Sequence, residues 1–197
     1  MDPLSDILSL LRPRAYRAGA FDLGRDFCIR FPEHEGIKYT AVVSGQCWLA
    51  VEGVPEAVRL TAGDCFLLPC GLASCLASDL TLTPADARAI FPFPLNDRIA
   101  SCNGGGDCLL VGGNFVLTGR PADILLAELP PIVHIRKQSD KTAMRWSLER
   151  MREELCDPQP GGVLVAQQLA YMMLVQALRL HLAEGLRGGV GWLFAIG

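Results

Sequence analysis

The chain has 197 residues, of which half are hydrophobic and 20% are charged, and its formal net charge is -3. This length and apolar content predict one sizeable domain with a buried core. The acidic balance argues against a segment that grips a nucleic-acid backbone by itself. The N-terminus lacks the basic and apolar regions of a signal peptide. We therefore expect a cytoplasmic protein whose eight cysteines are free thiols.

The first predicted element is a short helix. Leu4, Ile7, Leu8 and Leu11 recur at the spacing of one apolar helix face, and Pro13 ends the pattern. We expect residues 1–14 to form this helix and to pack on the outside of the domain that follows.

From about residue 16 to residue 118, short apolar segments alternate with glycine- and proline-rich turns. Strands are predicted at 27–31, 37–43, 46–52, 65–68, 74–77, 87–91 and 108–117, with the last one broken at Gly112 and Gly113. Roughly eight short strands with regular turns are typical of a barrel or a jelly roll. We expect this barrel to occupy residues 15–136.

Residues 137–187 have the pattern of two antiparallel helices. The first carries an apolar stripe on an otherwise charged surface. The second, predicted from Val163 to Glu184 with Gly185 just after its end, is apolar nearly all round, so it must be covered on most sides. Because one barrel and one helix leave part of it uncovered, we expect a homodimer. The predicted dimer interface consists of Leu164, Tyr171, Leu174, Val175, Leu178 and Leu182. Two glutamines, Gln168 and Gln176, interrupt the apolar run, which argues against a membrane span.

The spacing of turn residues within the predicted barrel resembles a known motif. Gly63, five residues, Pro69, one residue and Gly71 form the front half of the second cupin motif, and 43–49 resemble a step of the first motif. The Asp-Pro-Leu-Ser-Asp opening at 2–6, the segment 102–113 and the Leu-Pro-Pro at 129–131 also match. Over essentially its whole length, the chain resembles the N-terminal cupin domain of AraC-type transcription regulators.

This resemblance implies a mainly β fold with C-terminal helices: a double-stranded β-helix (jelly-roll) barrel that senses an unknown small-molecule effector, followed by a dimerising helix pair. It also implies that 188–197 is a linker to a DNA-binding domain that this sequence does not contain, so DNA is bound only through that domain. Ser74 stands where metal-binding cupins have a histidine, and the three histidines, His34, His134 and His181, lie in separate predicted elements. We therefore expect no metal, no cofactor and no enzymatic activity.

Aromatic residues on successive strands are the candidates for the effector site. Tyr39, Trp48 and Phe66 could line an apolar pocket, with the tyrosine hydroxyl or the indole N–H as polar contacts. The alternative is that they fill the barrel, as side chains do in small barrels. The Glu33-His34-Glu35 segment, between a proline and a glycine, is interpreted as a solvated turn.

Two cysteines offer a different function. Cys102 and Cys108 flank a glycine-rich loop that could bring them together as a redox pair, so a thiol redox sensor is one alternative. Otherwise the cysteines are small hydrophobic residues. A cupin enzyme acting on a small substrate is a further alternative.

Overall fold

The computed structural model describes residues 12–91, 99–118, 126–127, 129–135, 138–157 and 159–188. The predicted helix in residues 1–11, part of the segment between the barrel and the helix pair, and all of the predicted linker except Gly188 lie outside these ranges. Eleven strands and three helices are described, in two sheets followed by the helix pair. The strands are β1 Arg12–Leu23, β2 Cys28–Phe31, β3 Ile37–Ser44, β4 Gln46–Val51, β5 Val58–Thr61, β6 Cys65–Leu68, β7 Ser74–Ala77, β8 Ala85–Asp86, β9 Ile99–Cys102, β10 Cys108–Thr118 and β11 Val133–Ile135. The helices are α1 Ala87–Ile90, α2 Gln138–Cys156 and α3 Gly162–Gly188.

The predicted barrel is confirmed as two sheets that face each other. One has six strands in the order β11-β6-β3-β10-β1-β9, and the other has five in the order β5-β4-β7-β2-β8. Apolar side chains from both sheets meet between them in one buried cluster, which includes Val42, Phe66 and Leu110 from the first sheet and Ile29 and Leu49 from the second. We call the space between the sheets the barrel interior.

The structure corrects three of the sequence predictions for the β region. The β region begins at Arg12, so residues 12–14 belong to a strand and not to the predicted N-terminal helix. The segment predicted as a strand at 87–91 is the single helical turn α1, capped by the Asp86 carboxylate, which accepts from the Arg88 backbone N–H. The last long strand is not broken at Gly112 and Gly113, because its pairing with β1 continues in register through both.

The two long helices cover the outer side of the six-stranded sheet. Their apolar residues join outward-facing residues of that sheet in a second buried cluster, here called the outer cluster, which contains Tyr39, Ala41 and Phe115 from the sheet and Met151 and Leu178 from the helices. In α3 the buried positions recur at helical spacing, at 166, 169, 170, 173, 174, 177 and 178, so one face of the helix packs inside the subunit.

Helix α3 is longer than predicted, since it runs through Gly185 to Gly188. By length and composition, one described segment, Gly162–His181, is apolar enough to cross a membrane, with a mean hydropathy of 1.4. A helix that packs against the core of a domain passes the same test, and 39% of this segment is buried here. The apolar side chains of α3 that are not buried within the subunit therefore form a surface that another molecule could cover.

Candidate functional site

A half-open cavity of about 410 Å³ lies in the barrel interior. This volume is within the usual range for sites that bind small molecules. Its walls are mainly apolar and come from both sheets, and polar residues gather at one end. The lining residues are Gly19, Phe21, Phe31, Pro32, Glu33, His34, Lys38, Tyr39, Thr40, Leu49, Phe66, Ser74, Leu76, Arg88, Gly112, Gly113 and Asn114.

Strand register explains why this part of the interior is open. Gly19, Gly112, Thr40 and Phe66 lie side by side across four neighbouring strands of the six-stranded sheet. Residues directly opposite each other in a sheet point to the same face. Two of the four have no side chain, so this row leaves the interior partly unfilled. A Cβ atom at Gly112 would lie 2.6 Å from the Tyr39 carbonyl oxygen, so the close approach of β10 and β3 also requires glycine.

The next row along the same strands supplies the polar end of the cavity. Lys38 on β3 lies directly opposite Asn114 on β10. The Lys38 ammonium is 4.6 Å from the centroid of the Phe31 ring, which is a cation–π distance. His34 reaches the same end from the turn between β2 and β3, where its backbone N–H donates to the Gly71 carbonyl. Three polar side chains thus converge next to an aromatic wall.

Burial changes the protonation of two of these groups. It lowers the pKa of Lys38 to about 8. It also lowers the pKa of His34 to about 4, with the charge of Lys38 as the second cause. At neutral pH the imidazole is therefore neutral, while the amine is still mostly protonated.

The three residues predicted to bind a ligand lie in three different environments. Phe66 lines the cavity and is buried. Tyr39 borders the cavity, but its ring packs beside Phe115 in the outer cluster and its hydroxyl donates to Met151 Sδ at 3.1 Å. The expectation that Trp48 faces inward is wrong, because β4 buries Cys47, Leu49 and Val51, which leaves Trp48 on the outer face of its sheet. Leu49 takes the place in the cavity wall that we expected for Trp48.

Sequence reasoning missed the polar end of the cavity. His34 was expected in a solvated turn, yet it lines the cavity, and Lys38 and Asn114 were not candidates. The sequence does contain a signal for Lys38, which lies between the apolar residues Ile37 and Tyr39 in β3. Because successive side chains of a strand point to opposite faces, the Lys38 side chain has to lie on the face opposite to Ile37 and Tyr39. Asn114 follows the two glycines of β10 and carries the same signal.

Among the described residues, no group of three or more histidine, cysteine, aspartate or glutamate side chains could hold a metal ion. His34 lies in the turn before β3, His134 in β11 and His181 in α3, so the imidazoles come from separate elements. Ser74, the residue at the position of the missing metal ligand, is buried and lines the cavity. Ser74 therefore faces the barrel interior, where it contributes a hydroxyl group instead of an imidazole.

The predicted redox pair, Cys102 and Cys108, is contradicted by the sheet topology. Both cysteines pair with Leu23, one from each side, because β1 lies between β9 and β10. Two strand spacings separate their Cα atoms by roughly 10 Å, which is too far for a disulfide bond. The Cys47 thiol instead donates a hydrogen bond to Cys108 Sγ, and this contact and burial raise the pKa of the Cys47 thiol. On the outer face of the second sheet, Cys28 Sγ and Cys75 Sγ lie 3.2 Å apart as free thiols.

The predicted dimer interface divides between two faces of α3. Leu174 and Leu178 are buried within the subunit, in the outer cluster, so placing them in an interface between subunits is wrong. Leu164 is 65% exposed, and Tyr171 and Val175 are half-buried. The side chain of Leu182 lies outside the described residues. Met172, which is not among the six predicted interface residues, is 45% exposed.

Comparison with known proteins agrees with this architecture. The family model described as "Cupin" matches residues 2–183. A putative AraC-like transcription regulator from Streptomyces lividans and another from Streptomyces antibioticus are each 36% identical to the chain over 194 residues, which are 98% of this chain and 64% of each relative. The chain therefore spans less than two thirds of the length of these curated relatives.

A crystal structure of an apo ToxT variant from Vibrio cholerae is similar over 86% of this chain and 59% of its own, with 8% identity and a TM-score of 0.46. That likeness is too low to support an argument about function. The family match and the two relatives cover nearly all of the chain, as does the described barrel with its helix pair. The chain belongs to the cupin family and is homologous to AraC-like transcription regulators.

Proposed function

We propose that this chain is the effector-sensing and dimerising domain of an AraC-like transcription regulator, with the effector bound in the cavity of the barrel interior. The observation that carries the proposal is this cavity, which is half-open, walled by apolar side chains and lined at one end by polar groups. A site of this kind binds and orients small molecules. The two curated relatives, both named as AraC-like regulators, support the regulatory context.

In this proposal the domain is not an enzyme, needs no cofactor or metal, and works in the cytoplasm. DNA would be bound by a part of the longer protein outside this chain, as the length of the relatives suggests. Effector binding changes the output only if the effector prefers one arrangement of the domain over another. Helix α2 gives a physical route, since Met151 contacts Tyr39, and Tyr39 borders the cavity.

The effector proposal is tested with a metabolite library and the melting temperature of the purified chain. A ligand that binds only the folded state raises the melting temperature. Ser74→Phe places a large side chain in the cavity and is expected to abolish the shift for each ligand found. The control is Ser101→Phe at an exposed position of β9, which should leave each shift unchanged. Ligands that shift Ser74→Phe as strongly as the unmodified chain would remove the cavity as the effector site.

The dimer proposal rests on the outward face of α3. Leu164 and Met172 lie at i and i+8, on one side of the helix and opposite to the buried positions, while the half-buried Val175 packs at the edge of the outer cluster. Leu164 and Met172 are large apolar side chains with 65% and 45% exposure, which marks a surface suited to a partner. A second copy of the same helix could cover this face in a symmetric contact.

Met172→Glu is therefore expected to convert a dimer into a monomer, because a carboxylate would be buried at the contact without a partner. Sedimentation velocity at micromolar concentration measures the outcome. Leu80→Glu is the matched control, since Leu80 is 49% exposed in the turn after β7. If the unmodified chain sediments as a monomer, or if Met172→Glu remains a dimer, this face is not the interface.

A further inference from the structure

The polar end of the cavity has hydrogen-bonding groups that the described residues do not satisfy. The Oδ1 atom of Asn114 is buried without a hydrogen-bond partner in the described part of the chain. The ring nitrogens of His34 are buried too, and neither makes a well-aligned hydrogen bond there, although the backbone of Glu35 lies near enough to raise the His34 pKa against the effect of burial. An unsatisfied buried polar group costs about 1–3 kcal/mol. Native proteins accept this cost mainly where a ligand, a water molecule or an ion supplies the missing partner.

The charge at this end is positive. The ammonium of Lys38 has a described contact with the face of the Phe31 ring, but no ion pair with a carboxylate is described for it. The other charged groups in the lining are Glu33 in the turn before β3 and Arg88 on α1, and both are exposed. Solvent screens both of them more than it screens the half-buried Lys38, so Lys38 contributes most to the field inside the cavity.

Three features together define the ligand. A half-buried cation that has no ion pair with any described residue favours an anion and disfavours a second cation. The apolar wall formed by Phe21, Phe31, Leu49, Phe66 and Leu76 favours an aromatic or aliphatic body. A highly hydroxylated ligand such as a sugar would leave most of its hydroxyl groups against these side chains without partners.

We propose that the effector is an amphiphilic organic anion, a carboxylate on an apolar aromatic or alkyl body, whose charged group lies between Lys38 and Asn114. The Lys38 ammonium donates to the carboxylate. The Asn114 amide, turned about its last bond so that its N–H group faces the cavity, donates a second hydrogen bond from the opposite strand. Neutral His34 donates through one ring nitrogen. This inference rests on the proposed effector function and adds the chemical class of the ligand to it.

The anion also couples binding to pH in a defined direction. A carboxylate beside Lys38 raises the pKa of the amine above its value of about 8 in the free protein. Binding therefore takes up a proton at pH values above 8, and the affinity for the anion falls as the pH rises through that range. His34, with a pKa of about 4, stays neutral there. The other charged residues of the lining, Glu33 and Arg88, are exposed.

The experiment uses a panel of carboxylic acids, aromatic and straight-chain, with about six to twelve carbon atoms, each paired with its uncharged primary amide. Isothermal titration with the whole chain gives the two dissociation constants of each pair. We expect the best acids to bind at least about tenfold more tightly than their amides, since charge-assisted hydrogen bonds are roughly twice as strong as neutral ones. We also expect acid binding to weaken by up to about tenfold per pH unit above pH 8, while amide binding stays constant.

Lys38→Met removes the charge and keeps the apolar stem, so it should abolish the preference for acids and leave amide binding intact. Arg59→Met is the matched control, because it removes one positive charge from the exposed Arg59 on β5. Equal affinity for acid and amide, or a preference that survives Lys38→Met, would overturn the anion inference while leaving the effector function in place. If no acid binds, the inference is also overturned, and the separate library screen then decides whether the cavity binds any effector.

Discussion

The inner and outer sides of the six-stranded sheet are made by the same strands, yet they differ in how completely they are filled. On the outer side, Tyr39, Ala41 and Phe115 pack under α2 and α3 in a continuous apolar cluster. On the inner side, Thr40, Gly112 and Asn114 alternate with those residues along β3 and β10 and line a cavity of about 410 Å³. The period of two along a strand thus separates a closely packed support from an open site.

This difference predicts opposite responses to mutation on the two sides. Close-packed apolar clusters lose stability when atoms are removed, because the surroundings relax only partly. An open cavity with unsatisfied polar groups and a desolvated charge lowers the free energy of unfolding of the empty protein. Removal of such a group should therefore raise the free energy of unfolding. The comparison is tested by substitutions on each side.

The largest effect is expected on the outer side, at Leu178. This side chain is fully buried in the outer cluster, so Leu178→Ala should lower the free energy of unfolding by about 2–5 kcal/mol. Leu164→Ala on the outward face of the same helix is the control, and in the monomer it should change stability by less than about 0.5 kcal/mol. Urea unfolding followed by circular dichroism measures both. Similar losses for the two variants would mean that α3 does not pack with the described face inward.

On the inner side, Lys38→Met should raise stability at neutral pH. Burial lowers the pKa of Lys38 from 10.5 to about 8, so the folded state binds this proton less tightly than the unfolded state does. The resulting cost is fully present below about pH 8 and is relieved as the pH rises from 8 to about 10.5. Over that window the unfolding free energy of the unmodified chain should rise, relative to Lys38→Met, by on the order of 3 kcal/mol.

Urea unfolding of both proteins at pH 7, 8, 9 and 10 checks this prediction, because other titrating groups cancel in the difference between them. A difference that does not change with pH would mean that the Lys38 amine is well solvated in the folded state. It would also count against the proposal that the Lys38 ammonium binds an anionic ligand.

The sequence predicts the architecture better than it predicts the direction of individual faces. Turn residues such as Gly63 and Gly71, both at positive φ, lie at fixed spacing and mark the cupin motif, which the structure and the family match confirm. In β4, the alternation of side chains correctly assigns Trp48 to one face of the strand and Cys47 and Leu49 to the other. Alternation alone does not say which set is inside, and the large aromatic residue is the one left outside.

Helix α3 and strand β1 show two further limits. In α3, apolar residues surround the helix, so periodicity cannot assign Leu178 to the subunit core or Leu164 to the outward face. The first strand, in which arginine and alanine make up half of the residues, has little β propensity of its own. It forms because β10 and β9 pair with it on its two sides. The same three-strand arrangement separates Cys102 from Cys108, which no local pattern reveals.

The smallest predicted effect concerns the contact that joins the two sides. Tyr39 borders the cavity, and its hydroxyl donates to Met151 Sδ on α2 at 3.1 Å. Because a thioether is a weak acceptor, Tyr39→Phe should cost about 0.5–1 kcal/mol. In a Met151→Leu background, which lacks the acceptor, the same substitution should cost measurably less, and the difference isolates the contact. If the costs are equal, the hydroxyl does not act through Met151. If they differ, the same double-mutant cycle is repeated with a ligand bound in the cavity. A signal that passes from the barrel interior to α2 through this contact requires the coupling between Tyr39 and Met151 to change when the cavity is occupied.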